Sequence, residues 1–349
     1  MRVLLTGHKG YLGTVMAPVL ESEGHEVVGL DSGLFEGCVL GPVPDDPPGH
    51  VVDLRDVRLE HLFGVDAVIH LAALSNDPLG ALAPALTYDI NHHAAVRLAE
   101  LAKAAGVRRF LYASTCSVYG ASGGSGLVDE DAPLRPATPY AESKVKVEAD
   151  VAALADDDFS PVYLRNATAF GYSPRLRADI VLNNLVGHAV LTREVLVLSD
   201  GTPWRPLVHA ADIARAFAGA LVAPQAAVHN QAFNIGTERN NVTVAEIAEQ
   251  VVEAVPGATL RITGEAGADP RSYRVDFSRF REAVPGFDCA WSLKDGAVEL
   301  VEAYQRHRLS TADFERRFTR LAWLRDRMDD GTVDGTLRAQ NGQSEQNGN

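Results

Sequence analysis

Apolar residues in the first half of the chain form short, nearly continuous runs that alternate with segments of helical periodicity. Strands without regular polar alternation are typical of a parallel sheet that helices cover on both faces. The pattern therefore predicts an α/β fold, a Rossmann-type doubly wound parallel sheet. The strands are predicted at residues 2–6, 26–31, 50–53, 66–71, 109–114 and 162–165, and the helices at 11–23 and about 85–105.

After about residue 167, shorter strands mix with amphipathic helices, which predicts a smaller α/β lobe. The first domain is predicted to cover residues 1–167, with a strand and helix at about 203–235 returning to it. The lobe is predicted to cover 168–202 and 236–328, with a last amphipathic helix at 311–328. The tail, 329–349, is rich in Gly, Asn and Gln, so it is predicted to be disordered.

Composition narrows the classes of function. The net charge of −14 argues against nucleic-acid binding, and no apolar run is long enough to span a membrane. The N-terminus reads as a strand entering a glycine turn instead of a signal peptide, and the cysteines (Cys38, Cys116, Cys289) are far apart, so a cytoplasmic setting is expected. No metal site is expected, because His92 and His93 should point apart on a helix and have no third ligand nearby.

A glycine-rich turn follows the first predicted strand. Gly7, Gly10 and Gly13 have the spacing G-x-x-G-x-x-G and stand where the strand ends and a helix begins. Glycines let the backbone approach a pyrophosphate at a helix N-terminus, where amide donors favour negative charge. Asp31 ends the second strand, where a carboxylate accepts hydrogen bonds from ribose hydroxyls and repels a 2′-phosphate. The combination predicts NAD, in preference to NADP, as the cofactor.

Tyr140 and Lys144 lie one helical turn apart on the same face of a predicted helix. A neighbouring ammonium favours the phenolate form of tyrosine, which can then take a proton from an alcohol while the cofactor oxidises the carbon. A hydroxyl-rich segment, 114–117, follows the strand at 109–114, at the sheet edge where ligands bind. These residues predict oxidation or reduction at a carbon that carries oxygen.

Together these ordered motifs resemble the extended short-chain dehydrogenase/reductases, the NAD-dependent epimerase/dehydratase family, over the chain from Met1 to about Gln305. Within that family the pattern is most similar to the UDP-galactose 4-epimerases. The resemblance implies catalytic roles for Thr115, Tyr140 and Lys144, with the smaller lobe binding a nucleotide sugar. It implies cofactor contacts at Gly7, Lys9, Gly10, Tyr11, Leu12, Gly13, Asp31, Asp53, Leu54, Leu71, Ala72, Ala73, Asn91, Ser114, Tyr140 and Lys144. It implies substrate contacts at Ser75, Cys116, Ser117, Thr168, Asn184, Arg205, Arg271 and Arg274.

Two departures from the family pattern bear on the reaction. The sugar 4,6-dehydratases carry Asp and Glu after the catalytic hydroxyl, and this chain has Cys116 and Ser117, which argues against a dehydratase. A substrate-binding Asn of the 4-epimerases falls on Thr168, which leaves the sugar open. The leading hypothesis is a nucleoside-diphosphate-sugar epimerase acting at C4 through a transient 4-keto sugar. The alternatives are a nucleotide-sugar ketoreductase, a uronate decarboxylase and, more distantly, a non-enzymatic dinucleotide-binding scaffold. The family also implies a homodimer, formed by the helices at 85–105 and 140–155.

Overall fold

The computed structural model describes residues 1–75, 83–120, 126–265 and 272–340. The strands in these ranges are β1 (Arg2–Thr6), β2 (Glu26–Asp31), β3 (Gly49–Val51), β4 (Ala67–His70), β5 (Arg109–Thr115), β6 (Leu127–Val128), β7 (Ser160–Asn166), β8 (Thr168–Phe170), β9 (Glu194–Val197), β10 (Trp204–His209), β11 (Gln231–Ile235), β12 (Asn241–Thr243), β13 (Thr259–Ile262) and β14 (Arg274–Val275).

The α-helices in the same ranges are α1 (Tyr11–Ser22), α2 (Pro84–Tyr88), α3 (Ala94–Ala104), α4 (Pro139–Ala152), α5 (Val181–Thr192), α6 (Ala210–Val222), α7 (Gln225–Val228), α8 (Val244–Ala254), α9 (Ser278–Ala283), α10 (Leu293–Arg306) and α11 (Arg320–Asp329). None of these helices is both long enough and apolar enough to cross a membrane.

The main sheet of the described chain has seven strands in the order β11-β7-β5-β4-β1-β2-β3, and every neighbouring pair is parallel. Its apolar strands are buried on both faces. Val3 and Leu5 of β1 face one apolar cluster with α1 and α6, while Leu4 faces a second cluster with α3 and α4. Alternate side chains of a strand point to opposite faces, which explains why each strand needs a continuous apolar run. The predicted doubly wound sheet is confirmed.

A separate apolar cluster lies in the second half of the chain. Its buried side chains come largely from α5, α8 and α10, and from the short strand β9, which pairs with β13 in parallel. Beside it, β10 pairs with β8 and β12, so this small sheet runs directly on from the end of β7. The smaller lobe therefore meets the main sheet at the carboxyl ends of its strands, where ligands bind in folds of this kind.

The C-terminal segment differs from its prediction. The single helix expected at 311–328 is interrupted: a π-helical turn, Asp313–Arg317, is followed by α11. The tail was predicted to be disordered, and this is wrong for residues 330–340, because Val333 and Leu337 are buried in one apolar cluster with Leu74 and Leu324. Residues 341–349 lie outside the described residues. The two buried apolar side chains and the ion pair between Arg338 and Asp56 together hold this otherwise polar segment against the rest of the protein.

A second π-helical turn, Asp89–His93, joins α2 to α3. The rings of His92 and His93 lie 4.9 Å apart there, so the expectation that they point apart is wrong. The wider π turn brings consecutive side chains closer together than an α-helix does. His92 Nε2 lies 2.6 Å from Asp150 Oδ2 on α4, so this contact joins two neighbouring helices.

Candidate active site

The glycine-rich turn is packed too tightly for side chains. Gly7 has φ +77°, and its N–H donates to Leu30 O at 2.8 Å, which ties the turn to the end of β2. A Cβ atom on Gly13 would lie 2.2 Å from Gly7 O. Because these positions exclude side chains, the first amides of α1 stay open to the pocket, as binding of a pyrophosphate requires.

Asp31 is oriented by two backbone amides. Lys9 N–H donates to Oδ2 at 3.0 Å, and Gly33 N–H donates to Oδ1 at 2.8 Å. Burial raises the pKa of Asp31 above its usual range, and these two hydrogen bonds oppose that shift. Each carboxylate oxygen keeps a further acceptor site, so the group suits the two ribose hydroxyls of an adenosine.

Tyr140 and Lys144 are placed by the start of α4. Thr138 caps this helix, its hydroxyl accepting from Ala141 N–H at 3.2 Å, and Pro139 occupies the first helical position. Both residue types favour a helix start, so the local sequence sets where α4 begins. Lys144 is buried, and its Nζ lies 5.7 Å from the centre of the Tyr140 ring.

The neighbouring hydroxyls have distinct roles. Ser114 Oγ donates to Glu148 Oε1 at 2.5 Å, so its proton is already used. Thr115 Oγ1 accepts from Ser117 N–H at 3.1 Å, which leaves its own hydroxyl hydrogen for a ligand. Lys144 Nζ donates to Ala113 O at 2.7 Å and so is fixed against the end of β5. The structure thus favours Thr115 over Ser114 as the hydroxyl that polarises a reacting oxygen.

A buried ion pair that was not predicted from the sequence fixes the helix and strands that carry these residues. Glu148 and Arg165 have side chains only 8% and 7% exposed, and Arg165 Nη2 lies 2.6 Å from Glu148 Oε2. Arg165 also donates to Tyr119 Oη and to Glu130 O. Glu148 lies on α4 one turn after Lys144, so this network fixes α4 against β5 and β7 through Ser114 and Arg165.

These elements enclose a pocket of about 1090 Å³ between the main sheet and the smaller lobe. Most of the residues predicted to bind ligand line it together. They are Gly7, Lys9, Gly10, Tyr11, Leu12, Gly13, Asp31, Asp53, Leu54, Leu71, Ala72, Ala73, Ser75, Ser114, Thr115, Ser117, Tyr140, Lys144, Thr168, Asn184 and Arg205. Arg271 lies outside the described residues.

Two predicted contacts are corrected, because the side chains of Cys116 and Asn91 are bonded inside the protein, outside the pocket lining. The contact predicted for Arg274, which is not among the lining residues, stays a prediction. Cys116 is 1% exposed, and its Sγ points into the core towards Arg165 O at 3.1 Å. Asn91 is buried and bonds both backbone groups of Leu74, so it shapes the pocket wall without reaching the pocket. The Arg274 guanidinium lies over the Trp204 ring at 5.1 Å.

Several side chains that were not predicted from the sequence also line the pocket. Arg177 and Asp179 form an ion pair with Nε 3.0 Å from Oδ1, and Arg177 Nη1 donates to Ser75 Oγ at 3.1 Å. Arg320 and Leu337 reach the pocket from the far end of the chain. The excess of arginine over lysine was the one feature of the sequence that indicated such cations, and composition does not indicate which arginines line a pocket.

Comparison with known proteins gives the family. Residues 3–236 match the model of the NAD dependent epimerase/dehydratase family, which is more than half of the chain. The chain belongs to this family. It is therefore an enzyme of the NAD-dependent epimerase/dehydratase family, and the prediction of NAD as its cofactor is confirmed.

Curated members of the family that resemble this one catalyse more than one reaction. UDP-glucose 4-epimerase of Mycolicibacterium smegmatis is 31% identical, over 87% of this chain and 99% of its own. dTDP-glucose 4,6-dehydratase of Streptomyces niveus is 28% identical, over 88% of this chain and 94% of its own. A solved structure of MoeE5 with UDP-glucose and NAD is similar with a TM-score of 0.73 and 28% identity, over 88% of this chain and all of its own.

The residues of this family member fit NAD on structural grounds. The glycine turn excludes side chains next to the open end of α1, and Asp31 presents its carboxylate at the end of β2. The same pocket continues to Lys144 and Tyr140. The lining therefore suits each part of NAD: Asp31 the adenosine ribose, the glycine turn the pyrophosphate, and the end at Lys144 and Tyr140 the nicotinamide.

Lys144 gives this enzyme a predictable pH dependence of stability. Burial lowers the Lys144 pKa from 10.5 to about 7, with Glu148 opposing that shift. Between these values the unfolded chain holds a proton that the folded chain has released, so the free energy of unfolding should rise with pH. Relative to Lys144→Met, the cofactor-free protein should gain up to about 1.4 kcal/mol per pH unit above pH ~7. Urea unfolding across this range measures it, and parallel profiles for the two proteins would contradict the assignment.

Proposed function

We propose that this chain is an NAD-dependent nucleoside-diphosphate-sugar 4-epimerase that works through a transient 4-keto sugar. The observation that carries the proposal is the composition of one end of the pocket. Thr115, Tyr140 and Lys144 line the same pocket, and Lys144 Nζ lies 5.7 Å from the centre of the Tyr140 ring and is bonded to Ala113 O, two residues before Thr115. Asp179, which also lines the pocket, is paired with Arg177. Such a site suits removal and return of hydrogen at an alcohol carbon.

The proposed roles follow from the contacts. The Tyr140 phenolate takes the proton of the sugar hydroxyl, while Thr115 donates a hydrogen bond to the same oxygen. Lys144 is held against Ala113 O, and its protonated form supplies the positive charge that favours the phenolate. The chemistry that NAD supplies when bound is reversible two-electron oxidation of the sugar carbon. After the keto sugar turns over in the pocket, the hydride removed from the carbon is returned to its opposite face, and Tyr140 returns the proton to the oxygen.

The carboxylates of the described lining argue against water elimination, which needs an acid that can donate a proton. They are Asp31, Asp53 and Asp179. Asp31 and Asp53 lie near the ends of β2 and β3, away from Tyr140. Burial acts to raise the pKa of Asp179, but the Arg177 guanidinium outweighs it and holds that pKa below the usual range. Asp179 therefore stays ionised, which supports an epimerase over a dehydratase.

The substrate class rests on the lobe side of the pocket and on the relatives. Asn184, Arg205 and Thr168 line the pocket there, and a guanidinium suits a diphosphate because its donors form a planar fork. The similar MoeE5 structure holds UDP-glucose. We accordingly propose a nucleotide hexose as substrate. The cytoplasmic setting and the homodimer, formed through the helices around α3 and α4, are part of the same proposal.

A panel of nucleotide hexoses carrying UDP, dTDP, GDP or CDP tests the proposal. Without added reduced cofactor, one hexose should convert to its C4 epimer, and the same final ratio should be reached from either epimer. Chromatography separates the epimers, and absorbance of reduced nicotinamide reports net redox change. Stoichiometric consumption of reduced cofactor would support the ketoreductase instead, and release of carbon dioxide from a uronate would support the decarboxylase.

A further inference from the structure

The C-terminal strap, defined as residues 310–340, lies beyond the part of the chain that the family explains. The family match ends at residue 236. The Mycolicibacterium smegmatis relative aligns over 99% of its own length but covers only 87% of this chain. The MoeE5 structure aligns over all of its own length but covers only 88% of this chain. Part of this chain thus has no counterpart in those proteins, and the family's known site does not account for what the strap does.

The strap is anchored beside the end of β2. The Trp323 indole Nε1 donates to Leu34 O at 2.9 Å, and Arg317 Nε donates to Gly37 O at 2.8 Å. The segment that receives these bonds begins three residues after Asp31, the ribose-facing carboxylate. The first half of the strap therefore packs on the dinucleotide end of the pocket and not on the sugar end at Tyr140.

The second half of the strap is anchored beyond β3. Arg55 Nη2 donates to Thr336 O at 2.9 Å, and Arg338 forms an ion pair with Asp56. Between these anchors, Leu337 is 7% exposed and lines the pocket. The two halves together cover the stretch of pocket between the glycine turn and the 3₁₀ turn at 54–56.

Arg320 is the side chain that the strap places in this stretch. It is 3% exposed and lines the pocket, with its guanidinium 4.7 Å from the centre of the Phe35 ring. Its Nη2 donates to Arg175 O at 3.3 Å. Its Nη1 is buried, and no acceptor within the described residues reaches it. A buried cation with an unused donor costs free energy unless an anion meets it, which points to a ligand that the protein alone does not contain.

The contacts of Arg320 with neighbouring segments indicate which anion binds it. Arg175, whose carbonyl Arg320 binds, donates from Nη1 to Thr14 Oγ1, and Thr14 lies on the first turns of α1, just after the glycine turn. Phe35, under the Arg320 guanidinium, follows β2. Arg320 is thus joined through Arg175 to the start of α1 and packs directly on the segment after Asp31. Asp179 acts on the charge of Arg320 but is already paired with Arg177, whereas the pyrophosphate of a dinucleotide that spans these two features carries two further negative charges.

We propose that Arg320 donates to the pyrophosphate of NAD and that the C-terminal strap holds the dinucleotide in its pocket. The apolar side chain of Leu337 covers the adenosine end. This proposal rests on NAD as the cofactor and is independent of the sugar and of the reaction. It assigns to the strap a retention role, which suits an enzyme whose cofactor is regenerated in each turnover.

Arg320→Met tests the charge, since methionine keeps an unbranched apolar stem. The full-length protein is stripped of bound cofactor, and binding of NAD, ADP-ribose and UDP is measured by calorimetry. Loss of a charged hydrogen bond to phosphate should weaken binding of NAD and ADP-ribose about 10- to 100-fold, and leave UDP unchanged. Arg325→Met is the matched control, because Arg325 is exposed on the same helix and should alter none of the three.

Two results would overturn the proposal. One is an unchanged dissociation constant for NAD and ADP-ribose in Arg320→Met, and the other is weaker binding of UDP alone, which would assign Arg320 to the sugar nucleotide. Hydrogen exchange on the wild-type protein decides the matter should Arg320→Met fail to fold. ADP-ribose should then protect amides of the C-terminal strap and UDP should not, and equal exchange with and without ADP-ribose counts against the proposal.

Discussion

Replacing Tyr140 with phenylalanine should lower kcat by about 10²- to 10⁴-fold, the range expected when a positioned acid–base group is lost. The phenolic oxygen is the proposed base, and no other side chain beside Thr115 and Lys144 in the described lining can replace it. Binding of NAD should stay nearly unchanged, because the glycine turn, Asp31 and the buried Lys144 are untouched. Steady-state kinetics and the content of bound nucleotide measure the two effects separately.

Tyr88→Phe provides a control for the loss of a phenol near the same helix. Tyr88 Oη donates to Glu142 on α4 at 2.5 Å but does not line the pocket. The kcat of Tyr88→Phe should stay within about twofold of wild type, because substitutions away from functional features typically change free energies by no more than about 0.5 kcal/mol. Wild-type kcat in Tyr140→Phe would remove the tyrosine from the mechanism, and loss of NAD from that variant would assign it a binding role.

Replacing Glu148 with glutamine should lower the free energy of unfolding by about 3–5 kcal/mol, because Arg165 is left as an uncompensated buried charge. The change preserves the shape of the side chain, so lost packing contributes little. It also removes the charged acceptor of Ser114 and the negative charge one turn from Lys144. Denaturant unfolding measures the loss.

Asp150→Asn is the matched control on α4. The Asp150 side chain is half-exposed and contacts His92, and a carboxylate that keeps contact with water contributes about 0–1 kcal/mol through such a contact. If Asp150→Asn and Glu148→Gln lowered the free energy of unfolding by similar amounts, burial of the carboxylate would not determine the size of the loss. A loss below about 1 kcal/mol in Glu148→Gln would mean that Arg165 finds water or another partner.

The parts of the fold that depend on local pattern could be predicted from the sequence. The first two strands were predicted with the bounds observed for β1 and β2, because a strand buried on both faces must be apolar throughout. The glycine turn could be recognised because backbone that approaches so closely tolerates only glycine. The pair Tyr140 and Lys144 could be recognised because their spacing places them on one face of a helix.

The predictions that were wrong concern side chains whose surroundings the local sequence pattern does not record. Cys116 stands in the hydroxyl-rich motif, but the 3₁₀ turn after β5 directs its side chain into the core. Val333 and Leu337 order a polar tail only because Leu74 and Leu324 meet them. The burial of Arg320 likewise follows from residues hundreds of positions away in the chain, and no periodicity in its own segment records it.

The mass and C4 configuration of the product distinguish a 4-epimerase from a dehydratase. Purified protein is incubated with each nucleotide hexose, and the product is measured by mass spectrometry and proton NMR. We expect a product of unchanged mass with inverted configuration at C4 and no net change in reduced nicotinamide. A product lighter by one water molecule would contradict this expectation and would make this chain a dehydratase.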